Sequence, residues 1–210
     1  YAKFKDELIL LPDLGIVARG STGSVLVFGN RPLESMRDIA VPTDSSSSRQ
    51  LLDWILQEKA LDPRRVEMAP DLGHMLSECD GALIIGDRAL LEAKNNPKQV
   101  VMDLATEWTR ITGYPMVFGV FAARNDTDIS HIKLAHRDML TQLNRFDTDI
   151  VWRASVIENA SKDTGISETR LDNYYSTEVW NRLDSDAEAG LDFFLEKVCN
   201  VESAEWAKLD

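Results

Sequence analysis

The stretch Ile39-Ala40-Val41-Pro42-Thr43-Asp44-Ser45-Ser46-Ser47-Ser48-Arg49-Gln50-Leu51-Leu52-Asp53-Trp54-Ile55-Leu56 changes its period halfway along. Ile39 to Val41 read as a short buried strand, and Pro42, which has no N–H to give a ladder, ends it. Leu51, Leu52, Ile55 and Leu56 then fall on one face of a helix. The serines sit at that helix's amino terminus, where hydroxyls satisfy first-turn amide groups. A strand, a tight polar turn and a helix in so few residues form the repeating unit of an α/β fold.

The same alternation extends both ways. Upstream, Ser24 to Phe28 is an apolar, β-branched strand bounded by Gly23 and Gly29, and Asn30-Arg31-Pro32 is a turn before a short helix at Leu33 to Arg37. The residues before Ser24 read as a loop-like opening. Downstream come a strand at Val66 to Met68, a short helix capped by Asp71 and running to Cys79, and a fully apolar strand from Gly81 to Ile85. Val100 and Val101 precede an amphipathic helix at Leu104 to Ile111, and Tyr114 to Ala123 is a long apolar strand. Strands separated by helix-period segments predict a mainly parallel sheet. Beyond Arg124 the pattern becomes helical: Ile129 to Phe146, Thr148 to Ala160, Ser167 to Tyr175 and Ala187 to Val198, with no strand signal in this tail.

Composition agrees with a packed globular chain. Of 210 residues, 44% are hydrophobic and 28% charged, enough to build a core and too apolar for disorder. Lys and Arg number 23 against 35 Asp and Glu, a formal net charge of −12. That sign excludes binding nucleic acid by phosphate neutralisation. The longest apolar run, Met116 to Ala123, falls far short of the ~20 residues that span a bilayer. Neither nucleic acid nor membrane is therefore expected as a partner. Cys79 and Cys199 show no metal-ligand spacing, so no metal is expected and a reduced, cytoplasmic protein is the default. The chain opens at Tyr1 and is read as starting within a longer polypeptide.

Three places invite a chemical reading. The turn Asp44 to Ser48 lies beyond the carboxyl end of a strand, where open α/β sheets bind ligands. Its amides, hydroxyls and helix dipole make either an anion seat or a plain N-cap with a polar loop. Asp87 follows Gly86 at the end of the Gly81 strand, and either caps the next helix or orients a substrate hydroxyl. Ser24, after Gly20-Ser21-Thr22-Gly23, either starts a strand or meets a ligand; with no GK[ST] after it, the glycine-rich string is not a phosphate loop. His74, His131 and His136 show no metal spacing, and the last two, on a polar helix, read as solvated.

Several strings in order resemble one family. Leu11-Pro12-Asp13-Leu14-Gly15-Ile16 and Gly20 to Leu26 resemble the opening of chorismate dehydratases, enzymes of the futalosine route to menaquinone. Thr43 to Ser48 is similar to their serine/threonine turn, and Gly81 to Leu90 to their Gly-Asp strand end. Asp103-Leu104, Glu107-Trp108, Thr112-Gly113, Pro115, Val117-Phe118 and Ala122-Ala123-Arg124 resemble the most specific segment. Tyr174, Tyr175, Leu183, Gly190-Leu191 and Phe194 extend the likeness into the tail.

The resemblance implies a type II periplasmic-binding-protein-like α/β fold, two lobes with a ligand cleft. Residues 1–23 would then be the remainder of the first lobe, 24–122 the second, and 123–210 a helical return to the first. It implies dehydration of chorismate to 3-[(1-carboxyvinyl)oxy]benzoate without a cofactor, by a monomer or homodimer. Ser24, Ser45, Ser47, Ser48 and Asp87 become substrate-binding candidates. The family's catalytic asparagine belongs to an Asn-x-x-Pro turn upstream of Tyr1, so no catalytic residue is assigned within this chain. Ser46 stands where many members have arginine, and Phe121 where they often have tryptophan. A non-catalytic binder of small carboxylates, or an enzyme like 1,4-dihydroxy-6-naphthoate synthase, shares the implied fold.

Overall fold

The computed structural model describes residues 1–209. A 3-10 segment at Ala2–Glu7 leads into β1 (Leu8–Ala18), followed by β2 (Val25–Gly29) and β3 (Asp38–Pro42). Then come α1 (Ser46–Glu58), β4 (Arg64–Met68), α2 (Leu72–Glu78), β5 (Gly81–Ile85), α3 (Gly86–Asn95), β6 (Val100–Asp103) and α4 (Leu104–Thr112). After β7 (Met116–Arg124) the chain runs through α5 (Ile129–Thr148), α6 (Ile150–Thr164) and α7 (Glu168–Asn173). A π-helical turn at Tyr174–Glu178, β8 (Trp180–Arg182) and α8 (Ser185–Lys197) complete it. This is a mixed α/β fold with two sheets.

The chain forms two compact units, residues 18–115 and residues 1–17 with 116 onward. The division after Pro115, rather than near 122, arises because β7 joins the sheet of β1.

In the 18–115 unit, five strands stand in the order β4-β3-β5-β2-β6. β3 runs parallel to β4 and β5, whereas β2 is antiparallel to both β5 and β6. The expected parallel sheet thus holds for four strands and is corrected at β2. All five residues of β2 are buried, so its hydrophobic pattern reads the same in either direction.

The alternating faces of this sheet are filled from both sides. Leu26, Phe28, Ala40, Ala82 and Ile84 pack with Leu72, Met75 and Cys79 of α2 and Ala89 of α3. Right-handed crossovers from β3 to β4 and back past β3 to β5 put α1 on the face opposite α2. There α1 buries Leu51, Leu52, Ile55 and Leu56. Trp54 meets Trp108 of α4 with ring centroids 5.2 Å apart, and the fully buried Trp108 donates its indole N–H to Pro115 O at 3.1 Å.

The other unit holds a three-stranded sheet, β7-β1-β8. Two expectations are corrected here. The loop-like opening is in fact the 11-residue strand β1, and the tail does contain a strand, β8, paired antiparallel to it through Leu14↔Arg182 and Val17↔Trp180. Both escape a periodicity reading for local reasons. Pro12 removes a ladder donor, Asp13 takes φ 64°, and the register shifts between Leu14 and Val17, which breaks the alternation. β8 has three residues, too few to show a period. Gly15 is required where it stands, because an added Cβ would lie 2.8 Å from Leu183 Cγ and 3.0 Å from Gly119 O. Leu10, Val17, Val117, Leu183, Ala187, Leu191 and Leu195 form this unit's core.

A buried carboxylate ties the edge of the five-stranded sheet together. Asp80, 9% exposed, accepts from Arg37 N and Arg37 Nε at 2.9 and 3.0 Å and pairs with Arg31 at 3.2 Å. Its own amide donates to Asp38 Oδ1 at 2.8 Å. The Arg37 side-chain bond, then the Arg37 amide and the Arg31 charge, hold the Asp80 carboxyl down to about 2. A folded-state value below the usual ~3.9 adds stability that is present above that pH and lost as pH falls toward 2. Asp80→Asn is therefore expected to lower the melting temperature at pH 7 by roughly 2–4 °C. It should also flatten the loss of stability between pH 4 and 2, which calorimetry across that range measures.

Candidate functional site

The antiparallel course of β2 decides what lies at one edge of the five-stranded sheet. Val25 pairs with Ile85, and Leu26 with Asp103. The amino end of β2 therefore stands beside the carboxyl ends of β5 and β6. β3 runs with β5 in the register Ala40↔Ala82, so Pro42 and the serine turn reach the same edge. Ser24, the Asp44–Ser48 turn, Gly86-Asp87 and Asp103 consequently come from four segments to one side of the sheet. This is the edge where open α/β sheets take ligands.

The approach to Ser24 is held by one carboxylate. Asp103 Oδ2 accepts from Ser21 Oγ at 3.1 Å, Thr22 N at 3.0 Å and Gly23 N at 2.8 Å. Gly23 has φ 64°, the left-handed backbone that lets the turn close without a side chain. Behind it, Thr22 Oγ1 and Ser24 Oγ lie 3.0 Å apart, both residues buried. Ser24 O in turn accepts from Gly86 N at 2.7 Å, which locks the start of β2 to the start of α3.

Three helices begin at this edge, and they are capped differently. In α4, Asp103 Oδ1 accepts from Thr106 N at 3.0 Å, so that amino terminus is closed by a carboxylate. In α1 the N-cap is Ser45, whose Oγ accepts from Ser48 N at a long 3.4 Å. In α3 the N-cap position is Ile85, which supplies no side-chain acceptor. Gly86, at φ 65°, makes the turn from β5 into this helix possible. The amino termini of α1 and α3 are thus the ones suited to an anion: their dipoles and first-turn amides favour negative charge and no carboxylate caps them.

The candidate residues fall as follows. Ser24 and Ser48 are buried, Ser45 is half-buried, and Ser47 and Asp87 are exposed. Asp87 is not a hydrogen-bonding cap for its helix, because Ile85 occupies the N-cap position; it lies in the first turn instead. Asp44 belongs to the turn the sequence already marks, whereas no local pattern groups Asp103 and Arg88 with the serines. Asp103 had a legible signal, an acidic residue just before an amphipathic helix.

The histidines lie elsewhere. His136 is buried rather than solvated, with Nε2 3.0 Å from Pro12 O and 3.6 Å from Asp13 Oδ2, whereas His131 is exposed. At 100° per residue, five positions put the two on different sides of α5. Among the described residues no three His, Cys, Asp or Glu side chains group to hold a metal. Among the same residues no helix is long and apolar enough to cross a membrane.

Comparison with known proteins bears on what this edge serves. A family model described as menaquinone biosynthesis matches residues 1–200. The chain is 30% identical to the chorismate dehydratase of Thermus thermophilus over 219 aligned residues, 93% of this chain and 75% of that protein. A crystal structure of a protein from Archaeoglobus fulgidus matches it with a TM-score of 0.75 at 22% identity, over 95% of this chain and 75% of that one. The structural likeness speaks for the fold.

Hydrogen bonds to a charged acceptor contribute about 1.5–3 kcal/mol each. Asp103→Ala is therefore expected to speed amide hydrogen exchange at Thr22, Gly23 and Thr106 about tenfold or more, while leaving α1 unchanged. Residue-resolved exchange measures this.

Proposed function

Since this chain belongs to the menaquinone biosynthesis family, we propose that it binds chorismate and removes water from it, giving 3-[(1-carboxyvinyl)oxy]benzoate for the futalosine route. The observation that carries this reading is the sheet edge where Ser24, Ser45, Ser47 and Ser48 meet two helix amino termini without a carboxylate cap. Such a seat holds a carboxylate on amides and hydroxyls. The 30% identity to a chorismate dehydratase supports chorismate as the substrate.

In the proposed reaction the proton on the ring carbon that bears the enolpyruvyl ether leaves, its electron pair forms the new double bond to the neighbouring carbinol carbon, and the hydroxyl breaks from that carbon and departs with a proton as water. The ring becomes aromatic, so the reaction is downhill once the proton can leave. What the seat contributes is placement and charge. A carboxylate fixed on preorganised donors keeps the ring in one orientation, and the same donors stabilise the negative charge that reaches the carboxylate through the conjugated ring double bond as the proton goes. Asp87 is assigned to the side of the departing hydroxyl, as a group at the same edge that can hydrogen-bond it. The fold is proposed to be of the type II periplasmic-binding-protein-like class, with a ligand cleft.

Proton NMR of chorismate incubated with the protein tests the reading. Growth of aromatic enolpyruvyl-benzoate signals at the expense of chorismate is the expected result. Chorismate that binds but stays unchanged would make the protein a carboxylate binder. Chorismate that neither binds nor changes would overturn the substrate assignment. Ser48→Ala is expected to weaken chorismate binding roughly fivefold to tenfold, the effect of one lost hydrogen bond, with an unchanged circular dichroism spectrum. Titration calorimetry on parent and variant measures it, and equal affinities would remove Ser48 from the seat.

A further inference from the structure

Asp44 and Arg88 join two segments of the sheet edge. Asp44 precedes the N-cap of α1, Arg88 lies in the first turn of α3, and Arg88 Nη1 donates to Asp44 Oδ2 at 3.0 Å. The two side chains are 57% and 45% exposed. An ion pair this wet contributes about 0–1 kcal/mol, so a better-placed carboxylate displaces Asp44 at little cost. The contact is also a poor use of the group: one N–H meets one oxygen, whereas a guanidinium can grip a carboxylate with two parallel bonds.

The charge inventory of the edge gives this pair its meaning. The serines are neutral, and Asp44, Asp87 and Asp103 are carboxylates. Arg49, in the first turn of α1, pairs with Glu67 Oε1 on β4 at 3.0 Å. Helix amino termini supply only partial positive charge, which suits one carboxylate. A ligand with two carboxylates brings a second full negative charge to an edge already acidic. Arg88 is the guanidinium positioned between the turn of α1 and the start of α3 to meet it.

We propose that Arg88 binds the second carboxylate of a dicarboxylate substrate, leaving Asp44 for the ligand, and so sets a preference for two carboxylates over one. This rests on the proposed reading of the edge as a seat for a chorismate-like acid. Asp44 holds the guanidinium in place while the site is empty and competes with the ligand for it. The exchange involves no bond making beyond hydrogen bonds, and the net charge of the site changes only by that of the ligand.

Titration calorimetry with two acids tests this. One is 3-[(1-carboxyvinyl)oxy]benzoate; the other is 3-methoxybenzoate, which keeps the ring carboxylate and the ether and lacks the second carboxylate. The wild-type protein is expected to prefer the dicarboxylate. Arg88→Ala should weaken that acid by about tenfold or more and change the monocarboxylate less than about twofold. Asp44→Asn should tighten the dicarboxylate severalfold by freeing the guanidinium. If wild-type protein binds neither acid, the proposed function falls and this inference with it. If wild-type protein binds the two equally, or Arg88→Ala weakens both alike or neither, the role of Arg88 alone is overturned.

Discussion

The direction of one strand organises the 18–115 unit. β2 lies antiparallel between β5 and β6, while β3, β4, β5 and β6 share the opposite direction. Were β2 parallel, Ser24 would start at the far edge and the turn before it would close on nothing. As built, the start of β2 abuts the ends of β5 and β6, so Ser24 O can take the amide of Gly86 and Asp103 can take those of Thr22 and Gly23. The ladder bonds that satisfy a fully buried strand are therefore the same constraint that gathers four segments at one edge.

Electrostatics at that edge follow from how its helices are finished. Asp103 spends one oxygen on the 21–23 turn and the other on the first turn of α4, neutralising that dipole. α1 has only a serine at its N-cap and α3 an isoleucine. In a chain of net charge −12, an anion is drawn to such a place by the local field and not by the whole molecule. At physiological salt, charges beyond about 8–10 Å are largely screened. Partial charges on helix ends and hydroxyls suffice for one carboxylate, so the proposed seat needs no lysine.

Much of this was legible before any coordinates. β3, α1, β5 and the helices of the tail fall close to where their periods put them, because each buries one face and the burial imposes the period. The serine turn was legible as a helix start for the same reason. β1 was not, since Pro12, the left-handed Asp13 and a register shift each disturb the alternation that marks a strand. His136 was misread because a residue's side of a helix depends on what packs there: Pro12 O, far away in the chain, holds its ring.

The class of fold, the strand-turn-helix units and the hydroxyls at the start of α1 are all readable along the chain, because each depends on neighbours within a few residues. That β2 runs against its neighbours, that Asp103 clamps residues 21–23 and that Asp44 meets Arg88 emerge only when the elements pack. Strand direction carries no signature when every residue of the strand is buried. Contacts between segments tens of residues apart are set by how whole elements pack, and no local period encodes them.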